Sequence, residues 1–187
     1  LNFFQYECHL VVRVPRTDCK EDGALQVEVP WARQEADWTQ LFESLAMVLC
    51  REMPVNKVSQ ILKVDDNKLW RMMTHYTEAA RQLSDYSGVE AIGADETSKA
   101  KGHDYVTLFV DLQESRTLFV AEGKGADTVK SFKEDLIAHG GGCENIQEAS
   151  IDMSPAFIKG LTDNFPTAEI TFDKFHIMKI INKAVDT

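Results

Sequence analysis

Three aspartates that close short apolar runs are the residues of this chain best placed to do chemistry. Asp95 follows the run at 89–94, Asp152 follows 146–151, and Asp173 follows 168–172. A lone Asp at a strand end usually caps a turn or the next helix. Two at matched ends of neighbouring strands mean more. Carboxylates a few ångströms apart repel one another, an arrangement that makes sense around a divalent cation. Oxygen-only ligands facing a phosphate favour Mg²⁺, with Mn²⁺ as a substitute. Two such ions can bind the attacking and leaving oxygens of an in-line phosphoryl displacement, with water or a DNA 3′-hydroxyl as nucleophile. Asp95 and Asp152 form the primary pair. Asp173 is either a third metal-binding carboxylate or a partner for His176. Strand alternation directs Glu96 away from Asp95, and Asp111 and Asp163 are assigned to turns.

The elements that must position these residues are legible from residue 89 onward. Strand-like runs at about 89–95, 105–112 and 116–122 are separated by a polar turn containing Gly102 and by a second turn at 113–115. Gly123 and Gly125 break the third run. A helix over 126–139 turns Val129, Phe132 and Leu136 inward. It stops at Gly140, Gly141 and Gly142, because glycine takes the left-handed conformation that helix C-termini need. There follow a strand at 146–152, a helix opened by Ser154 and Pro155 and running to about Asn164, a strand at 168–173 and a helix at 175–186. The order β-β-β-α-β-α-β-α predicts a mixed sheet covered by helices. It resembles a ribonuclease H-like α/β fold, in which the first and fourth strands are parallel neighbours, so that Asp95 and Asp152 meet at one end of the sheet.

The first half of the chain reads differently. Residues 38–84 carry three helical patterns, with Leu41, Phe42, Leu45, Val48 and Leu49 on one face of the first. Pro54 breaks that helix. Val55, Val58, Ile61 and Leu62 mark a short second helix. Leu69, Trp70, Met73 and Tyr76 mark a third, with Asp65 or Asp66 able to cap it. A tight turn between a short second and a longer third helix suggests a helix-turn-helix module. Asn67, Lys68 and Arg71 would then lie at the base edges of a major groove. A plain three-helix bundle with a solvated polar face is as good a reading of this pattern alone, and Asp65 and Asp66 would repel phosphate. Before it, runs at 11–15 and 25–30 read as small strands joined by a turn at 17–23. Cys8 and Cys19 flank the first of them, the remains of a zinc knuckle or two ordinary thiols, with Asp22 where a second ligand could sit.

Composition limits the alternatives. A hydrophobic content of 44% with 27% charged residues is that of a globular protein able to bury a core. No apolar run approaches the ~20 residues that span a bilayer. The four cysteines are widely spaced and form no CxxC pair, so a reducing cytoplasm is expected rather than a disulfide framework. The net charge of −10 weighs mildly against nucleic-acid binding, yet a carboxylate cluster neutralised by metal accommodates it. The N-terminus, with neither Met nor a basic leader, reads as the interior of a longer gene product.

From about Val29 onward the chain resembles the ISL3 family of bacterial insertion-sequence transposases. The resemblance is carried by Val29-Pro30-Trp31-Ala32, Gly93-Ala94-Asp95-Glu96-Thr97, Lys101-Gly102-His103-Asp104-Tyr105-Val106-Thr107, Asp152-Met153-Ser154-Pro155-Ala156-Phe157 and Phe172-Asp173-Lys174-Phe175-His176. It implies a partial zinc-ribbon-like β segment at 1–34, a helix-turn-helix module at 35–87 and the first part of a DDE catalytic domain at 88–187. Asp95 and Asp152 carry over as the first two acidic residues of the DDE triad. The third, a Glu on a late helix, would lie beyond Thr187. The implied activity is metal-dependent cleavage and strand transfer of double-stranded DNA at terminal inverted repeats, by a homo-oligomer at the bacterial nucleoid, with Zn²⁺ as a further ion in the full-length protein. The alternative is a truncated product that binds DNA as a regulator without cutting it.

Overall fold

The computed structural model describes residues 2–3, 6–7, 11–21, 23–34, 36–98 and 105–185. The chain divides into two compact units, Leu1–Arg81 and Gln82–Thr187, each with its own core. Cys8 and Asp22, candidates for a zinc site, and residues 101–104 of the family pattern lie outside the described residues.

In the first unit two antiparallel hairpins precede three helices. β1 (Asn2–Phe3) pairs with β2 (Tyr6–Glu7), and β3 (Arg16–Cys19) pairs with β4 (Gly23–Gln26). The second hairpin occupies much of the stretch expected to be a turn. Gly23 has a φ of 75°, the left-handed conformation that lets a short connection close without a Cβ clash, so pairing runs up to Cys19–Gly23. Val11 and Val12 are left exposed rather than built into a strand.

α1 (Gln40–Glu52) starts at Thr39, whose Oγ1 accepts the Phe42 N–H at 3.3 Å. α2 (Val55–Leu62) follows Pro54 and ends at Lys63, which is left-handed with a φ of 53°. Asp65 Oδ1 then accepts the N–H groups of Asn67 at 2.9 Å and Lys68 at 3.3 Å, opening α3 (Asp66–Gln82) as its sequence predicts. The three helices bury Ala46, Val58, Leu69 and Met72. Two expected core faces are corrected. On α1, Phe42 and Ala46 point inward, whereas Leu41, Leu45 and Val48 form a second apolar stripe that stays exposed. On α3, Trp70 is 55% exposed, because one residue beyond buried Leu69 the helix has turned by about 100°.

A buried ion pair ties this unit together. The Glu43 side chain is fully buried, and Arg33 Nε donates to both of its carboxylate oxygens at 3.1 Å. The Tyr76 hydroxyl donates to Glu43 Oε2 at 2.7 Å. A buried carboxylate persists only when paired and hydrogen-bonded in this way. Burial, and then the bond to Glu43, push the Tyr76 phenol above its ordinary range.

The second unit is a five-stranded mixed sheet in the order β7-β6-β5-β8-β9. β5 (Ala91–Ser98), β6 (Tyr105–Asp111) and β7 (Arg116–Glu122) form an antiparallel meander. α4 (Ala126–Ala138) carries the chain back and ends ahead of Gly140, whose φ is 84°. After a 3₁₀ turn at Cys143–Asn145, β8 (Glu148–Ile151) pairs parallel to β5. α5 (Pro155–Asn164) leads to β9 (Glu169–Phe172), parallel to β8, and α6 (Lys174–Val185) follows. Asp163 lies inside α5, not in a turn. β5 runs past Asp95 to Ser98, further than its apolar run suggests, because β6 continues to pair with it.

The core lies between the sheet and helices α4 and α5. Phe132 of α4 stacks on Phe109 of β6 with ring centroids 4.4 Å apart, and Phe165 approaches at 5.8 Å. All three are fully buried. Phe132→Ala is expected to lower the stability of this unit by about 3–5 kcal/mol, the usual cost of emptying an aromatic core position. Denaturant unfolding followed by circular dichroism measures it, and a change within noise would refute the packing.

Candidate functional site

The register of the parallel strands sets the site. Ala94 of β5 pairs with Ile151 of β8, and Ile151 pairs with Phe172 of β9. Asp95, Asp152 and Asp173 each come one residue later. They form a single row across three adjacent strands, at the carboxyl ends of β8 and β9. That edge of an open α/β sheet is where ligands generally bind. The Asp173 N–H donates to the Ile151 carbonyl at 2.9 Å, so β9 is held in register up to the aspartate. In this row Asp152 is the middle member, flanked by Asp95 and Asp173.

Local bonds orient the first two carboxylates. Asp152 is half-buried, and its Oδ1 accepts the Ser154 N–H at 2.8 Å, at the entrance to α5. Ser154 stands at the N-cap of α5 without a side-chain cap bond, and Asp152 braces the turn that leads into the helix. Asp95 is exposed and its Oδ1 accepts the Glu96 N–H at 2.8 Å. Asp173 is exposed.

Glu96 joins the acidic group, although its place beside Asp95 directs it to the other face of β5. It is half-buried, and its carboxyl is held above the ordinary carboxylate range. Desolvation is the largest cause, then the charge of Asp152, opposed by Lys124 and reinforced by Asp95. The field of Asp152 outweighs that of Glu96's own sequence neighbour. No periodicity argument could have found this, because it depends on β8 arriving beside β5. Lys124 Nζ lies 4.2 Å from the centre of the Tyr105 ring, a cation–π contact that helps to fix this cation beside Glu96.

The donor set fits a hard divalent cation. Mg²⁺ is commonly held by one or two carboxylates, completing its shell with water and substrate phosphate. Asp95 and Asp152 supply two carboxylates, and their charges add to the burial that chiefly holds Glu96 up. Among the described residues no group of three His, Cys, Asp or Glu side chains is gathered closely enough to hold a metal by itself. Asp111 has the structural role expected of it. It is buried at 2% exposure, accepts the N–H groups of Gln113 and Glu114, and pairs with Arg116. Cys19 is half-buried in β3, and the side chain of His176, the proposed partner of Asp173, is not described.

In the first unit, Asn67 and Arg71 are exposed on α3 and Lys68 is half-buried. Lys68 Nζ lies 3.2 Å from Asp37 Oδ1, and Arg71 Nη2 lies 3.7 Å from Asp37 Oδ2. Among the described residues no helix is long and apolar enough to cross a membrane.

Comparison with known proteins bears on both units. Residues 92–187 match a family model described as a transposase of the ISL3 group, and residues 27–77 match one described as the helix-turn-helix domain of transposase family ISL3. The chain is 25% identical over 187 residues to the transposase for insertion sequence element IS1557 of Mycobacterium tuberculosis, covering 100% of this chain and 42% of that protein. It is 26% identical over 176 residues to the transposase for insertion sequence element IS1001 of Bordetella parapertussis, covering 92% of this chain and 43% of that protein. The chain thus spans about two fifths of the length of these curated relatives. Of solved structures, a simian T-cell lymphotropic virus intasome in complex with PP2A regulatory subunit B56 gamma matches 58% of this chain and 43% of that chain. Its 14% identity and TM-score of 0.35 are too low to bear on the fold.

The Glu96 carboxyl gives a direct check of the site's electrostatics. In metal-free buffer, Asp152→Asn is expected to lower its titration midpoint and Lys124→Ala to raise it, read by carbon NMR of the side-chain carboxyl. Because its folded pKa lies above the unfolded one, its contribution to stability is fully present below the ordinary carboxylate value. It is lost as pH rises through the raised value. An unmoved midpoint in Asp152→Asn would separate the two residues.

Proposed function

Because the chain belongs to the ISL3 family of transposases, we propose that it carries the DNA-binding module and the first two metal ligands of an insertion-sequence transposase. The reaction is metal-dependent cleavage and strand transfer of double-stranded DNA at the element's terminal inverted repeats. The observation that carries this reading is the juxtaposition of Asp95 and Asp152. They stand one residue beyond a parallel rung, inside the segment that matches the family's transposase model.

In this reading the mixed sheet is the core of a ribonuclease H-like catalytic domain. Asp95 and Asp152 hold Mg²⁺ or Mn²⁺, and Asp173 is an additional carboxylate on the same edge. The bound cation supplies Lewis-acid polarisation of a phosphate oxygen or of a nucleophilic hydroxyl. The chain's own residues do the positioning. The Ser154 N–H fixes the plane of Asp152, and the Glu96 N–H fixes that of Asp95. Lys124 offsets the charge on Glu96, limiting the repulsion that the site must bear without metal. The helix-turn-helix at 27–77, with Asn67, Lys68 and Arg71 on α3, brings the duplex to the protein.

Calorimetric titration with Mg²⁺ and Mn²⁺ tests the metal site without requiring turnover. Asp95→Asn and Asp152→Asn are each expected to weaken binding at least about tenfold, since each removes one of two anionic ligands. Equal affinity in wild type and both variants would sink the assignment and leave a DNA-binding protein without cleavage as the better reading.

A further inference from the structure

Resting on the DNA-binding reading of residues 27–77, we propose that Lys68 and Arg71 form a seat for one phosphate of the DNA backbone, a seat that Asp37 fills in the DNA-free protein. The two cations then anchor the duplex and do not read its bases.

The two oxygens of Asp37 are divided between the cations, Oδ1 at 3.2 Å from Lys68 Nζ and Oδ2 at 3.7 Å from Arg71 Nη2. A phosphodiester also carries one negative charge and presents two terminal oxygens, so it can take the same pair of partners. Beside the three groups lies a cavity of about 300 Å³, also lined by Gln34 and His75, both able to donate hydrogen bonds to an anion. Lys68, Arg71 and His75 fall at i, i+3 and i+7, on one stripe of α3. Asn67, Trp70 and Thr74 make the neighbouring stripe and are all exposed. α3 therefore presents a cationic stripe with a cavity beside it and a second stripe that offers an amide, an indole and a hydroxyl.

The charge balance favours exchange. Arg33 also lines the cavity, but its guanidinium is engaged by buried Glu43. Among the described residues that line the cavity, Lys68 and Arg71 are then set against Asp37, leaving positive charge there for an incoming anion. The Asp37 contacts are open to water, with side chains 47%, 40% and 72% exposed for Asp37, Lys68 and Arg71. Solvated pairs of this kind add little to stability. They can be given up without cost to the buried Glu43 lock, and Asp37→Asn should fold normally.

Fluorescence anisotropy with a labelled random-sequence duplex, titrated between roughly 50 and 200 mM salt, tests the seat. Asp37→Asn is expected to bind about tenfold more tightly at low salt, with a steeper salt slope, because the two cations lose their internal competitor. Asp37→Ser should behave alike. Lys68→Ala with Arg71→Ala should weaken all sequences equally and flatten the slope by about one, the loss of one phosphate contact. Inorganic phosphate at matched ionic strength should not displace the duplex. Unchanged or weaker binding by Asp37→Asn would overturn the seat, and phosphate displacement from wild type alone would give it to a free anion instead. A double variant that keeps its slope but loses preference at one base position in selected duplexes would make Lys68 and Arg71 base readers, sparing the helix-turn-helix. Wild type without affinity for any duplex would remove the DNA-binding reading itself.

Discussion

The parallel pairing of β5 with β8 is the constraint on which the second unit depends. The two strands are separated in sequence by β6, β7 and α4, yet Ala94 and Ile151 share a rung. Everything assigned to the site follows from where that pairing stops. β8 ends at Ile151 and turns through Asp152 into α5, while β5 is carried on to Ser98 by its antiparallel pairing with β6. Asp95 is thus held in a strand paired on its other side, and Asp152 is held by the turn it caps. The Phe109–Phe132 stack beneath the sheet keeps α4 in place, and α4 is the connection that allows the parallel return.

Bringing carboxylates together has an electrostatic consequence that is already visible at Glu96. Its carboxyl responds to desolvation, to Asp152 and to Asp95 at once, and Lys124 opposes them. A divalent cation in this row would relieve the same repulsion, which is why the row of carboxylates suits the proposed reaction. The first unit handles buried charge differently. Glu43 is fully enclosed and matched by Arg33 and Tyr76, so that pair belongs to the architecture. Asp37, exposed and shared between two cations, is free of that obligation.

Much of the second unit was legible in the residues because its periods are clean. The alternation at 105–111, the inward stripe Val129, Phe132 and Leu136, and the glycines after α4 each had one good solution. The first unit was read less well for a physical reason. α1 carries two apolar stripes side by side, and sequence cannot say which one meets α2 and α3. Trp70 followed the same logic, since an aromatic next to a buried leucine looks like core until the helix is placed. In the N-terminal hairpin, Gly23 set the register more strongly than the valines at 11–14. Asp95 and Asp152 stood out as candidates because the ends of their apolar runs are marked locally. Glu96 and Asp37 did not, because their significance lies wholly in partners distant in sequence.

On the proposed reading, the pairing of β5 with β8 builds a divalent-cation site at Asp95 and Asp152. Paramagnetic broadening by Mn²⁺ in amide-resolved NMR locates such an ion without reference to turnover. Substoichiometric Mn²⁺ is predicted to erase the amide signals of 94–96 and 151–154 before any others. Broadening centred on another acidic surface, or spread evenly over the protein, would contradict it.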